Sequence, residues 1–113
     1  MAIIISTEDP HGLLAAIKEA ITQNLVATWS YDKDGDFTHT AEQWKNKAWL
    51  RPRVEDDGRL ILNILTPRAT TLSSIHYAIY HGRFIEMLLS HFDQKFTRAG
   101  ATALPTSRDV VKG

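Results

Sequence analysis

The stretch WLRPRVEDDGRLILNIL, residues 49–65, has the pattern of two strands joined by a tight turn. Asp57-Gly58 between the two apolar segments is a strong signal for a β-hairpin. The second strand carries large aliphatic residues at four of its last five positions, which predicts a place at the centre of a sheet. Pro52 has no backbone N–H to donate, which predicts that the first strand lies near a sheet edge or contains a bulge.

A second hairpin is predicted around the stretch DKDGD, residues 32–36. Side chains alternate between apolar and polar over residues 25–31, as in a half-buried strand, and a further strand is predicted over residues 37–40. The glycine of the stretch can take the positive φ that a short connection needs. The hairpin would make four residues cross-strand neighbours: Trp29, Tyr31, Phe37 and His39.

The acidic residues of DKDGD also have the spacing of a calcium-binding loop. Asp32, Asp34 and Asp36 would stand at the first, third and fifth positions of such a loop. The position that requires glycine holds Phe37 instead, and the position of the bidentate glutamate holds Gln43. The segment before the loop is a predicted strand, not the helix of an EF-hand. We therefore predict a hairpin with no metal and no cofactor.

A helix is predicted after a short β-branched strand at residues 2–5. Asp9 is a suitable N-cap, and Pro10 suits the first helical position. Apolar residues between positions 13 and 21 recur on one face of a 3.6-residue period. Asn24 is a suitable end for this helix.

The longest predicted element is a second helix, from Thr70 or Thr71 to about Lys95. Its apolar residues change phase near Gly82. This shift predicts either a kink or break at the glycine, or an uninterrupted helix with apolar residues around most of its circumference.

These elements predict one α+β domain over residues 1–104, in the order β-α-β-β-β-β-α. Four to five strands would form a mostly antiparallel sheet, with two helices packed on one face. Residues 97–104 are predicted to add an edge strand or an extended arm, and residues 105–113 are predicted to be a tail.

Composition excludes several functional classes. The 113 residues include 13 basic and 13 acidic residues and no cysteine. Balanced charge gives no general attraction to nucleic acid or to an anionic membrane. The lack of cysteine excludes disulfide scaffolds, thiol nucleophiles and cysteine-based zinc sites. No apolar run approaches the ~20 residues that cross a bilayer, and the N-terminus lacks the pattern of a signal peptide. A cytoplasmic protein without a membrane partner is expected.

The first candidate binding segment is QWKNKAWLRPR, residues 43–53. If it is extended, one face carries four cations around an aromatic ring: Lys45, Lys47, Trp49, Arg51 and Arg53. Such a face suits single-stranded nucleic acid or a phosphorylated ligand. A solvated strand face explains the same pattern, and it is favoured because the acidic residues at 55–57 would repel a polyanion.

The second candidate site lies on the long helix, where Tyr77, Tyr80 and His81 could line a pocket. With a carboxylate such as Glu86 they would form the site of a small enzyme. The histidines lack metal-ligand spacing, however, and no nucleophile motif is present, so no catalytic residue is assigned. The favoured function is a non-enzymatic binding or protein-interaction module. Its partners would be a second copy of the chain, contacting it through the long helix, and an unknown protein or small molecule.

Overall fold

The computed structural model describes residues 2–67, 73–104 and 109–112 and confirms the predicted α+β class. Its elements are β1 (Ala2–Ser6), α1 (Pro10–Thr22), β2 (Trp29–Tyr31), β3 (Phe37–His39), β4 (Trp49–Glu55), β5 (Arg59–Pro67), α2 (Ser74–His91), β6 (Arg98–Ala101) and β7 (Val110–Lys112).

Six strands form one antiparallel sheet in the order β2-β3-β4-β5-β1-β6. β6 is an edge strand, the first of the two alternatives predicted for residues 97–104. β7 pairs in parallel with β5, from Leu65 opposite Val110 to Pro67 opposite Lys112. Part of the segment assigned to a tail therefore belongs to the sheet.

The hairpin of β4 and β5 is the centre of the sheet. Its register runs from Trp49 opposite Leu65 to the turn, where Gly58 has a φ of +85°. β5 pairs with β1 on its other side, which confirms its predicted central place. The register between β4 and β3 joins Leu50 to Phe37, so Pro52 lies beyond that pairing.

The second predicted hairpin is also confirmed. Trp29 pairs with His39 and Tyr31 with Phe37, and their ring centroids lie 4.9 Å and 6.2 Å apart. Gly35 has a φ of +84°, the left-handed conformation that the connection requires.

α1 ends near Asn24, as predicted, but its cap uses residues that the sequence assigns to a strand. Asn24 has a φ of 61°, its N–H donates to the Ile21 oxygen at 3.1 Å, and the Leu25 N–H donates to the Ala20 oxygen at 2.9 Å. These two bonds are a Schellman motif. β2 therefore begins at Trp29 instead of Leu25.

α2 runs without interruption through Gly82, which is the second of the two predicted alternatives. The phase shift arises because the helix has two different faces. One face carries the buried residues Tyr80, Phe84 and Leu88. The other carries Ile75, which is exposed.

The ends of α2 also differ from the prediction. Ser73 caps the helix, because its Oγ accepts the His76 N–H at 3.2 Å. The predicted caps, Thr70 and Thr71, lie outside the described residues. The helix ends at His91, earlier than predicted.

One hydrophobic core lies between the sheet and both helices. It includes Leu13 and Ile17 of α1, Phe84 of α2 and alternating residues of the strands, such as Leu60 and Leu62. Both helices therefore pack on the same face of the sheet. Within the described ranges, no helix is both long and apolar enough to cross a membrane.

Candidate functional site

Tyr80, a predicted ligand-binding residue, is completely buried. Its hydroxyl donates a short hydrogen bond to the Trp44 carbonyl oxygen and lies 3.1 Å from Thr38 Oγ1. Thr38 Oγ1 in turn donates to the Ala48 oxygen at 3.0 Å. Tyr80 therefore holds the turns before β4 onto α2, and its hydroxyl is engaged within the protein.

Tyr77 and His81, the other two residues of this predicted pocket, lie together on α2. Their ring centroids are 4.0 Å apart, and His81 Nδ1 lies 3.0 Å from the backbone carbonyl oxygen of Tyr77. Burial raises the pKa of Tyr77. Glu86 is exposed and lies about 140° around the helix from His81. The structure therefore does not bring the proposed carboxylate to these two side chains.

The predicted basic face is divided between two kinds of structure. β4 begins at Trp49, and residues 41–47 form turns. The condition that residues 43–53 are extended is therefore not met in the part that carries Lys45 and Lys47. Trp49, Arg51 and Arg53 share a face of β4 because they alternate along it.

Both arginines of this face are paired with acids. Arg51 donates to Asp36 through Nε at 2.9 Å and through Nη2 at 2.8 Å. Arg53 Nε donates to Glu55. These ion pairs reduce the positive potential of the β4 face.

The acidic residues of DKDGD come together in the loop between β2 and β3. Carboxylate oxygens of Asp32, Asp34 and Asp36 lie within 4.8 Å of one another. Asp32 Oδ1 accepts the backbone N–H groups of Asp34 and Asp36, each at 3.0 Å. Asp36 is buried and receives both bonds from Arg51. The loop is thus organised by its own backbone and by an arginine.

His39, which is not among the predicted site residues, is buried and joins β3 to α2. His39 Nδ1 lies 2.7 Å from the backbone carbonyl oxygen of Thr28, and its Nε2 lies 3.0 Å from Arg83 Nη1. A carbonyl oxygen only accepts, so Nδ1 carries the hydrogen and Nε2 accepts from Arg83. Burial lowers the pKa of His39, and the Arg83 charge acts in the same direction, whereas the Thr28 bond and the Glu86 charge oppose them.

This lowered pKa predicts that the protein loses stability in mild acid. An unfolded histidine has a pKa of about 6.5. Below that pH the unfolded state binds more protons than the folded state, so the free energy of unfolding falls as the pH decreases through this value. Urea denaturation of the wild type and of His39→Gln at neutral and mildly acidic pH checks this. The variant should show a smaller loss.

The matched control for the acid effect is His91→Gln, because His91 is exposed. This variant should keep the pH dependence of the wild type. Equal losses in wild type and His39→Gln would contradict the assignment to His39.

A polar cleft of about 390 Å³ lies between the start of α1 and the connection from α2 to β6. Two of its polar groups already have partners. Thr7 Oγ1 donates to the Lys95 oxygen at 2.7 Å, and Asp9 Oδ1 caps the Gly12 N–H at 2.9 Å. Hydrogen bonds within the chain therefore join the two segments that border this cleft.

The outer face of α2 points away from the core. It consists of six residues within one sector of the helix: Ile75, Ala78, Ile79, Gly82, Glu86 and Leu89. Ile75 is 63% exposed and Leu89 58% exposed. Among the residues that the structure describes, nothing outside the local helix backbone lies within 4 Å of where a Gly82 Cβ would stand. This face combines exposed apolar side chains with a bare stretch of backbone.

Comparison of this chain with protein-family models, with curated proteins and with solved structures gives no match.

Proposed function

We propose that this protein is a non-enzymatic binding domain that acts as a homodimer, with the outer face of α2 as the contact. The observation that carries the proposal is the exposure of Ile75 and Leu89 on either side of Gly82, whose backbone no other element of the described ranges covers. Apolar side chains that stand in water in the monomer would be buried by a second copy.

Gly82 supports this contact because it is an unfavourable residue inside a helix. Glycine costs ~1 kcal/mol relative to alanine at such a position. No neighbouring element within the described part of the chain occupies the space above it. A second helix packed there would benefit, because Ala78 and Gly82 let two helix backbones approach closely.

The charges on this face favour an antiparallel contact about a two-fold axis at Gly82. That axis places Ile75 opposite Leu89 of the second copy and Glu86 opposite Ala78 of the second copy. A parallel contact would place the two Glu86 carboxylates beside each other, which is repulsive. The antiparallel arrangement also pairs the helix dipoles favourably.

The size of the face predicts a weak dimer. α2 has 18 residues and is therefore about 27 Å long. One helix face supplies less than the roughly 800 Å² per partner of a standard interface. We therefore expect a dissociation constant of the dimer in the micromolar range.

Sedimentation velocity across the micromolar range tests the dimer. The wild type should show a monomer–dimer equilibrium, and Leu89→Lys should be monomeric because the dimer would bury its charge. Leu25→Lys is the matched control, because Leu25 is 65% exposed on the α1 cap and lies outside the contact. A wild type that stays monomeric at all concentrations would refute the proposal.

Disulfide crosslinking reads the orientation of the same contact. The chain has no cysteine, so any disulfide in a single-cysteine variant joins two copies. Gly82→Cys should crosslink, because the axis brings the two Cα atoms near the 4.4–6.8 Å that a disulfide needs. Ile75→Cys should crosslink when mixed with Leu89→Cys but not alone. Crosslinking of Ile75→Cys alone would show a parallel contact.

A further inference from the structure

β6 is an edge of the sheet. It pairs with β1 from Ile3 opposite Ala101 to Ser6 opposite Arg98. Across residues 2–67, 73–104 and 109–112, no strand pairs with its other side. Natural edge strands are commonly protected by charged residues, prolines or bulges. β6 has the sequence RAGA, and its one charged residue stands at its start.

The backbone of β6 has hydrogen-bonding groups directed away from β1. The Thr102 N–H donates to the Ala2 oxygen at 2.8 Å, so Thr102 directs its backbone hydrogen-bonding groups toward β1. In an antiparallel pair of strands, residues alternate between directing these groups toward the paired strand and away from it. Ala99 and Ala101 therefore direct their N–H and C=O groups outward, where an added strand could bond with them.

A shallow groove of about 270 Å³ runs beside this edge. Gly100 stands opposite Ile4 in the register, and the half-buried Ile4 side chain lines the groove. Apart from Gly100 and its two chain neighbours, no described residue has an atom within 4 Å of where a Gly100 Cβ would stand. Ile4 and the small residues of β6 form an apolar floor, with Ser6, Arg98 and Thr102 around it.

We propose that β6 binds an extended segment of a partner protein by strand addition. The segment would place an apolar side chain over Gly100 and, two residues further along the same face, an acidic side chain beside Arg98. Arg98 is exposed, and it lies two positions from Gly100 on that face.

A second copy of the chain does not suit this groove. Antiparallel pairing of two β6 strands about Gly100 would place glycine opposite glycine and alanine opposite alanine. No side chain would then stand directly over Gly100, because the second copy's Arg98 would lie opposite Thr102, two residues away. The groove beside Ile4 would stay unfilled. A heterologous strand with a larger apolar residue fills it.

Fluorescence anisotropy with a labelled heptapeptide, Thr-Val-Thr-Leu-Thr-Glu-Thr, tests the proposal on the wild-type protein. Its leucine and glutamate are two residues apart on one face of an extended strand. The control peptide carries N-methyl groups on the two threonines that flank the leucine, because those N–H groups would pair with Ala99 and Ala101. We expect saturable binding of the first peptide and binding at least about tenfold weaker for the control.

Two variants test the two parts of the site. Ala101→Pro removes the outward N–H and leaves the ladder with β1 intact, and Ala101→Ser is its matched control. Gly100→Leu fills the groove without changing a backbone donor, so it decides the case if the proline variant does not fold. Ala101→Pro and Gly100→Leu should each weaken binding about tenfold, and Ala101→Ser should bind as the wild type.

Three results would overturn the proposal. The first is the absence of saturable binding at millimolar peptide. The second is equal binding of the N-methylated peptide. The third is self-association of the wild type that Ala101→Pro abolishes, because a second copy would then occupy the edge.

Discussion

Replacing Trp29 with alanine is expected to lower the free energy of unfolding by about 3–5 kcal/mol. Trp29 is 2% exposed. Its ring lies edge-on to Phe84 and Tyr80, with centroid distances of 5.0 Å and 5.7 Å, and tilted against His39 at 4.9 Å. These partners come from both β3 and α2, so the cavity would lie where the second hairpin meets the long helix.

The surroundings of Trp29 cannot easily close such a cavity. Tyr80 is held by its hydroxyl bond to Trp44, and His39 is held by bonds to Thr28 and Arg83. A cavity lowers the free energy of unfolding most when the surrounding side chains cannot move into it. Since domains of this size are stable by only about 5–15 kcal/mol, the loss would be a large fraction of the total.

Urea denaturation followed by far-UV circular dichroism measures the Trp29→Ala effect without relying on the fluorescence of the removed residue. Leu25→Ala is the control, because Leu25 is exposed and its truncation should change stability by less than about 0.5 kcal/mol. A loss below about 1 kcal/mol for Trp29→Ala would contradict its place at the centre of the core.

Replacing Arg51 with leucine is expected to lower the free energy of unfolding by about 2 kcal/mol. The side chain of Asp36 is 0% exposed, and its two oxygens receive the two bonds from Arg51. Breaking a fully buried ion pair typically costs 3–5 kcal/mol. The expected value is lower here because the Arg51 side chain is 48% exposed, which allows solvent to screen the remaining charge.

The double variant Asp36→Asn with Arg51→Leu separates the charge from the packing. Removing the carboxylate together with its partner should recover part of the lost stability, because no buried charge is then left without the guanidinium. Chemical denaturation of the wild type, both single variants and the double variant forms a double-mutant cycle. The cycle gives the coupling free energy between Asp36 and Arg51. Additive losses would show that the pair contributes nothing as a pair.

Arg51 also shows why the basic segment was ambiguous in sequence. Alternation along β4 places Trp49, Arg51 and Arg53 on one face, and this much follows from the local pattern. The acid that pairs with Arg51 is fifteen positions earlier, in the loop of the other hairpin. Whether a surface cation is free or paired depends on such distant residues.

The same distinction applies to α2. Its apolar residues on two sides are visible in the sequence, and both a break at Gly82 and a continuous helix fit that pattern. Packing decides that Tyr80 and Phe84 enter the core, whereas Ile75 and Leu89 remain in water. Tyr80 can be buried because its hydroxyl finds the Trp44 oxygen, a partner that no local pattern predicts.

The elements that depend on short-range chemistry follow from local sequence patterns. Positive φ at Gly35 and Gly58 sets the two hairpins, alternation sets their strands, and Asp9 with Pro10 starts α1. The buried contact of His39 with Arg83, the parallel pairing of β7 with β5 and the exposure of Ile75 and Leu89 on α2 depend on the tertiary structure. These features join residues far apart in the chain, so their energies depend on how the helices and strands pack together and not on local conformational preference.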